Sequence, residues 1–328
     1  MNNFVKDVLE NNGHIQPLLI PSSELNTFPS LTNPTIYNDN GKIYVNIRNI
    51  NYTLYHSEKK KYEHQWGPLV YIHPENDWKL RTSNIFCEIN DEDLSIKYFT
   101  RIDTSKFDTY EPMWDFVGLE DGRIVRWDNK LYIIGVRRDT TTDGEGRMEL
   151  SEIEIHNQKV IEVSRVRIPA PGDNKSYCEK NWVPIIDKPY HFIKWHNGTE
   201  VAYYDIKAKT TTSTIVHGWK DLGCADLRGG SQIIPFKDGY LSLAHTTYLF
   251  KSPAGRKDGI YRHRFVYFNK NFEIVKVSQE FSFLGADVEF SIGMTELNEN
   301  ILITFGFQDN AAYVLKTTKL FLEKYIGL

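Results

Sequence analysis

At 328 residues, 41% hydrophobic and 25% charged, the chain is too long for a small stapled scaffold and too apolar for a disordered one, and it can bury a substantial core. A formal net charge of −4 supplies no global pull toward nucleic acid or an anionic membrane, so an anionic partner has to be held by a local cluster of cations. Cys87, Cys178 and Cys224 are odd in number, far apart and without a CxxC pair, which argues against a disulfide framework or structural zinc and for a reducing cytoplasm.

The segment from Met1 to Glu10 mixes polar and charged residues with single apolar ones. It lacks a secretory apolar stretch, and no later run reaches membrane-spanning length, so a cytoplasmic protein with no membrane partner, starting at Met1, is expected. Phe4 to Asn11 reads as a short helix. The first turn followed by an alternating strand is Asn40-Gly41-Lys42-Ile43-Tyr44-Val45, and the same pattern returns at Asp128 to Ile133, Asp187 to Phe192, Lys237 to Ser242 and Asn298 to Ile303. Copies about 50 to 90 residues apart suit blades of four short strands, with the longest interval absorbing an insertion around Glu63 to Thr104. Asp139 to Gly146 and Pro169 to Asn174 are polar and turn-rich and read as loops over one face. Lys319 to Tyr325 reads as a second short helix. The 13% aromatic content against only 4 Met agrees with a sheet interior. The expected architecture is all-β: a single five-bladed β-propeller domain over residues 1–328, with a large β-sandwich as the competing reading.

In a propeller the innermost strands line a central channel, so polar residues at their ends converge although distant in sequence. If the five repeated strands line that channel, they end near Arg48, Arg137, Arg138, Lys194, His245 and Asp309, which implies a cleft lined mainly by cations. Asp121, in Gly118-Leu119-Glu120-Asp121-Gly122-Arg123, precedes a strand and could act as general acid or base, or with Glu120 could merely close a turn and pair with Arg123. Glu179-Lys180-Asn181-Trp182 sets a cation, an amide and an indole in a row, suited to an anion beside a stacked sugar or to a hairpin edge with a core Trp. Leu227-Arg228-Gly229-Gly230 offers a cation and close backbone amides to an oxyanion, or is an ordinary glycine turn. In Tyr261-Arg262-His263-Arg264 the two arginines share one strand face and His263 takes the other. Glu289 and Asp309 sit in apolar strands, as sugar-hydroxyl ligands or at solvent-facing positions. No phosphate-binding loop, GxGxxG, HExxH or GxSxG motif is present, and no histidine cluster has metal-ligand spacing, so neither a metal nor a cofactor is expected.

These segments resemble the five-bladed propellers around family 130 of the glycoside hydrolases, the β-mannoside phosphorylases, and the related β-mannosyltransferases. Gly118 to Arg123 looks like that superfamily's Glu-Asp-Pro-Arg segment, with Asp121 and Arg123 matching and Gly122 in place of the proline. The resemblance makes Asp121 the catalytic acid or base. It pairs Lys180 and Asn181 with the family's Lys-Asn, Arg228 to Gly230 with its Arg and Gly-rich segment, and His245 with a His ending a strand. Glu289 and Asp309 resemble its later carboxylates. A closer similarity is to propeller domains carrying Glu-Lys-Asn-Trp, Leu-Arg-Gly and His-Arg-Phe-Val, which often accompany glycosyltransferase modules.

A glycosidase needs two carboxylates flanking the bond, whereas transfer from or to phosphate can use one carboxylate opposite a set of cations. The expected function is therefore a glycosyltransferase in which Asp121 deprotonates an acceptor hydroxyl. Lys180, Arg228, His263 and Arg264 are the candidate phosphate ligands for a sugar phosphate or nucleotide diphosphate donor. Arg48, Glu120, Arg123, Arg137, Asn181, Trp182, His245, Glu289 and Asp309 are the candidate sugar ligands. An inverting phosphorylase or hydrolase of β-mannoside-like substrates and a non-catalytic glycan-binding propeller are the alternatives. The acceptor is a glycan or another hydroxyl; a modified nucleic acid finds no support in the net charge.

Overall fold

The computed structural model describes residues 3–25, 28–54, 71–72, 76–172, 176–223, 226–251 and 257–328. Cys224, Asp173, Asn174 and part of the insertion expected from Glu63 lie outside the described residues. Five sheets account for nearly all of the strands. Blade I comprises Ser30–Asp39, Lys42–Ile50, Leu80–Ile89 and Ile96–Arg101, with Phe116–Val117 added in parallel to the third strand. Blade II comprises Glu120–Trp127, Lys130–Arg137, Arg147–His156 and Lys159–Arg167, and blade III Val183–Pro184, His191–Trp195, Glu200–Asp205 and Thr210–Ile215. In blade IV the inner position is shared by Arg228–Gly229 and Ile234–Phe236, followed by Gly239–Lys251, Lys257–Phe268 and Ile274–Val277. Blade V runs Glu289–Leu297, Asn300–Phe307 and Ala311–Thr318, and its outermost strand is His14–Pro17 from the other end of the chain. The fold is the expected five-bladed propeller.

The five repeated turn-and-strand segments are the first hairpin of each blade. Asn40 and Gly41, and again Asp128 and Asn129, all have positive φ between strands paired as Asp39 with Lys42 and Trp127 with Lys130. That is the two-residue turn whose twist matches a hairpin and which favours Asn, Asp and Gly. The strands after these turns are therefore second in their blades, not innermost as the channel argument assumed. The innermost strands escape a simple alternation because bulges interrupt their pairing, as between Thr32 and Thr35 and between Phe290 and Gly293.

Both faces of a blade pack against neighbours, so both parities of a strand are apolar. In blade II, Leu131 and Ile133 face blade I with Tyr37, Tyr44 and Phe86, while Tyr132, Ile134 and Val136 face blade III with Trp182, Phe192 and Tyr204. Comparable apolar layers separate blades III and IV, IV and V, and V and I. The helix Phe4–Glu10, capped by the Asn3 side chain accepting from the Lys6 amide at 3.0 Å, inserts Phe4 against Phe281 and Phe283 between blades IV and V. The helix Lys319–Ile326 closes the same layer with Leu322 and Ile326.

At the axis the fully buried Gln232 of blade IV ties three other blades together. Its Nε2 lies 3.1 Å from Thr35 Oγ1 and 3.0 Å from the Ile36 carbonyl of blade I, and 3.0 Å from the Ile124 carbonyl of blade II. Its Oε1 accepts from the Met294 amide of blade V at 3.1 Å. Gln232→Leu leaves these groups unpaired in the interior, at about 1–3 kcal/mol for each one not satisfied otherwise. The expected result is a stability loss of about 3 kcal/mol or more, read from the denaturant midpoint; an unchanged midpoint would remove Gln232 from this role.

Candidate active site

The starts of the innermost strands and the ends of the second strands meet at the rim opposite the hairpin turns. Asp121 is brought there by a fixed run of backbone. Gly118, at φ +95°, lies where a Cβ would overlap the Thr82 carbonyl, and its amide donates to Asp139 Oδ2 at 3.2 Å. Asn84 Nδ2 donates to the Leu119 carbonyl at 3.0 Å, and Asn46 Nδ2 to Asn84 Oδ1 at 2.9 Å and to the Gly122 carbonyl at 3.1 Å. Asp121 itself has φ +52°, a conformation Asp tolerates better than most residues and one that concentrates at functional sites.

The Asp121 carboxylate accepts from Asn33 Nδ2 at 2.9 Å and from Arg48 Nη1 at 3.0 Å through the same oxygen, Oδ1. Burial opposes its ionisation, but Arg48, the Asn33 hydrogen bond, Arg123 and Lys180 together hold its pKa below the ordinary carboxylate value. Arg48 is itself gripped by Thr82 Oγ1 at 3.1 Å, Tyr52 Oη at 3.1 Å and Glu120 Oε2 at 3.3 Å. Asp309 accepts from Thr32 Oγ1 at 3.1 Å. Burial raises its pKa first, Arg48 opposes this, and Asp121 and Glu120 add to the rise. Asp121 and Asp309 thus share one cluster in which the first is pushed toward the anion and the second away from it.

On the other side stand the cations. Arg123 is buried; Nε donates to the Gly230 carbonyl at 2.7 Å and Nη1 to the Asp121 carbonyl at 3.1 Å, while Nη2 has no hydrogen-bond partner. Its desolvation brings the guanidinium down to about 10, against the pull of Asp121. Lys180 is exposed and Arg228 half-buried with its Nε unpartnered. Arg228 sits opposite His245 across the sheet. His245 stacks on Tyr261 at 5.6 Å and is held well below its ordinary pKa by burial, then by His263, Arg228, Arg123 and Lys180. Burial and then Asp309 and Asp121 push Tyr261 up to about 12, with Arg228 opposing. Gly229 and Gly230 leave no room for a Cβ, which would overlap the Asn181 and Leu243 carbonyls.

The structure therefore brings together Arg48, Glu120, Asp121, Arg123, Lys180, Arg228, His245 and Asp309. Asn181, at φ +58°, joins Lys180, Arg228, Lys194 and Trp195 around an adjoining cavity of about 370 Å³. The remaining sequence candidates are placed otherwise. Arg137 belongs to a buried ion network with Glu149 at 2.8 Å, Asp108 at 3.3 Å and Asp139 at 3.6 Å. Trp182 reaches the wall of that cavity but is 1% exposed, packed in the layer between blades II and III and donating to Glu179 at 2.9 Å, so it offers almost no surface to a sugar. Glu289 is neither solvent-facing nor free: it accepts from the amides of Phe283, Leu284 and Ala286 at 2.6, 2.8 and 3.0 Å. His263 is buried against Phe281 and Phe283, and desolvation followed by Arg262 lowers its pKa to about 3, so it carries no charge at neutral pH. Arg264 donates to the Ser278 carbonyl at 3.1 Å and pairs with Glu280 at 3.4 Å. Asn33, Tyr52, Tyr261 and the half-exposed Trp195 belong to the site without having stood out in the sequence. The cleft is mixed in charge rather than mainly cationic. Among the described residues no group of three or more His, Cys, Asp or Glu could hold a metal ion, and no helix is long and apolar enough to cross a membrane.

No family model and no curated protein matches the sequence. Among solved structures, β-1,2-mannobiose phosphorylase from Listeria innocua is similar at TM-score 0.54 and 10% identity, over 92% of each chain. A mannose phosphorylase from Leishmania mexicana, solved with a phosphate ion, is similar at TM-score 0.50 and 11% identity, over 96% of this chain and 92% of that one. A member of the family of mannoside phosphorylases containing hydrolases of β-1,2 mannosidic linkages matches at TM-score 0.53 and 14% identity, over 88% and 84%. The likeness is one of fold, and it is the fold the sequence resemblance implied.

Gly122, where the resembling motif has proline, follows from packing: any Cβ there would overlap the Cγ2 methyl of Ile133 and crowd Asn46 Nδ2. Gly122→Ala is expected to destabilise the protein by about 1–3 kcal/mol through overpacking. Combined with Ile133→Ala the two losses should add to less than their sum, because the second substitution vacates the space the first needs. Strict additivity in a denaturation-based cycle would refute this explanation of Gly122.

Proposed function

We propose that this chain is a carbohydrate-active enzyme that transfers a glycosyl group from a phosphate-bearing donor to a hydroxyl acceptor. Asp121 is the general base. The observation that carries the reading is one carboxylate held ionised by Arg48 and Asn33 while Lys180 and Arg228, on the same rim, are left without a carboxylate partner among the described residues. A charge pair that the fold leaves open on one side suits a ligand bringing its own negative charge.

In the transfer step Asp121 takes the proton of the acceptor hydroxyl as its oxygen bonds to the anomeric carbon. The bond from that carbon to the donor phosphate oxygen breaks, and its electron pair leaves with the phosphate, stabilised by Lys180 and Arg228. Arg48 keeps Asp121 oriented, and Asp309 with Tyr261 and His245 supplies polar groups for the sugar hydroxyls. Phosphorolysis of a β-mannoside uses the same groups in the opposite direction, with Asp121 returning the proton to the leaving hydroxyl. The two phosphorylases that share the fold favour it as the second reading, by analogy of fold.

Incubation with nucleotide sugars and, separately, with β-mannosides plus inorganic phosphate separates the two. Turnover in the second arm alone would sink the transferase reading. Asp121→Asn is expected to lower kcat by about 10²–10⁴-fold, the usual range for a lost acid–base group, with the circular dichroism spectrum unchanged. As the base, Asp121 must be ionised, so its depressed pKa extends activity to more acidic pH than an ordinary carboxylate would allow. Asn33→Ala removes a hydrogen bond to the anion, raises that pKa and moves the acidic limb of the pH–rate profile upward. A limb that stays in place would detach it from Asp121.

A further inference from the structure

We propose that the cavity between blades III and IV, walled also by the segment that leads into blade III, is a site for a nucleoside diphosphate, with the base stacked on Trp195 and the phosphates held by Lys180 and Arg228. The inference rests on the transfer reading above and names the class of its donor. The cavity, of about 370 Å³, is walled by Glu179, Lys180, Lys194, Trp195, Arg228 and Gly229 among others. That volume lies in the ordinary range for small-molecule sites. Inorganic phosphate alone would leave most of it, and the indole, unused.

Trp195 ends the strand His191–Trp195 and is 42% exposed, whereas Trp127 and Trp182 of the adjoining layer are 2% and 1% exposed. Consecutive strand residues normally point to opposite faces, yet Lys194 and Trp195 both reach this cavity. The register shift between Ile193 and Trp195 accounts for it: a bulge at this point turns the last side chain toward the same side. The indole therefore stands at the rim instead of joining the core.

The charges fit a diphosphate. Lys194 is engaged by Glu179 at 3.4 Å and Glu200 at 3.6 Å. Lys180 and Arg228 remain, giving two positive charges on the cavity wall. Direction adds a further constraint. In a single displacement at the anomeric carbon the acceptor oxygen and the departing phosphate lie on opposite faces of the sugar. Asp121 serves the acceptor, Lys180 and Arg228 the phosphate, and so a group lying beyond those cations is attached to the phosphate. An acceptor sugar belongs on the Asp121 side, away from Trp195.

Titration calorimetry of the full chain with GDP, UDP, ADP and inorganic phosphate tests the site. At least one nucleoside diphosphate should bind about tenfold or more tighter than phosphate. Trp195→Ala should weaken that binding by about 5- to 150-fold, the range for loss of a base–aromatic stack, while phosphate affinity stays the same. Trp195→Phe should retain most of the binding. The site is overturned if every nucleoside diphosphate binds as weakly as phosphate or if Trp195→Ala leaves their affinities unchanged. It is also overturned if that variant raises only the KM for the acceptor. Asp121→Asn reports on the transfer reading separately: it should lower kcat by about 10²–10⁴-fold without altering nucleotide binding, and turnover at an undiminished rate in it would overturn the reaction while leaving the binding result standing.

Discussion

One buried amide holds the ring in register. Gln232 meets the backbone of blades I, II and V within 3.1 Å, and its own chain neighbour Ile233 exchanges backbone hydrogen bonds with Pro184 and Ile186 of blade III. A polar group in a dry interior is stabilising only if each of its donors and acceptors is met, and here they are met only when blades I, II, IV and V are in place. The axis is consequently too crowded for side chains at Gly293, where a Cβ would overlap Thr304 and the backbone of blade I, or at Gly306, where it would overlap Asn33. The same crowding aligns the starts of the inner strands, so that Asn33, Asp121, Arg123 and Arg228 end on one rim.

The site's electrostatics follow from that convergence. Arg48 is buried and would be costly there without partners; Asp121, Glu120, Tyr52 and Thr82 supply them. Arg123, by contrast, is held mainly by carbonyls, those of Gly230 and Asp121. Three carboxylates lean on one guanidinium, and the unequal sharing separates Asp121 from Asp309 in their readiness to ionise. Charge that is paired on the Asp121 side and unpaired at Lys180 and Arg228 gives the rim a polarity before any ligand arrives.

Much of the fold was legible because the first hairpin of each blade carries its own turn chemistry. Asn40-Gly41 and Asp128-Asn129 announce left-handed backbone wherever they occur. The inner strands were not legible, since bulges break their alternation and their glycines and polar residues are explained only by the neighbours at the axis. Asp121, Lys180, Arg228, His245 and Asp309 could be found as polar residues at strand ends. Glu289, His263, Arg264 and Arg137 looked the same, because a sequence shows residue type and strand parity but not which face of a blade is turned toward which neighbour. Trp195 was hidden for a related reason: its outward position depends on a single bulge.

Blade V takes its outermost strand from the opposite end of the chain, through the pairing of His14–Pro17 with Tyr313–Lys316. This contact spans nearly the whole sequence, and loop closure over such a distance is a slow, late event in folding. During synthesis the early strand waits, with its edge unpaired, until blade V emerges from the ribosome. Until then the apolar faces of blades IV and I that pack against blade V lack their cover, and exposed apolar surface of this kind favours association with other copies. Closure of the ring thus makes the strands of blade V the gatekeepers of solubility as well as of shape.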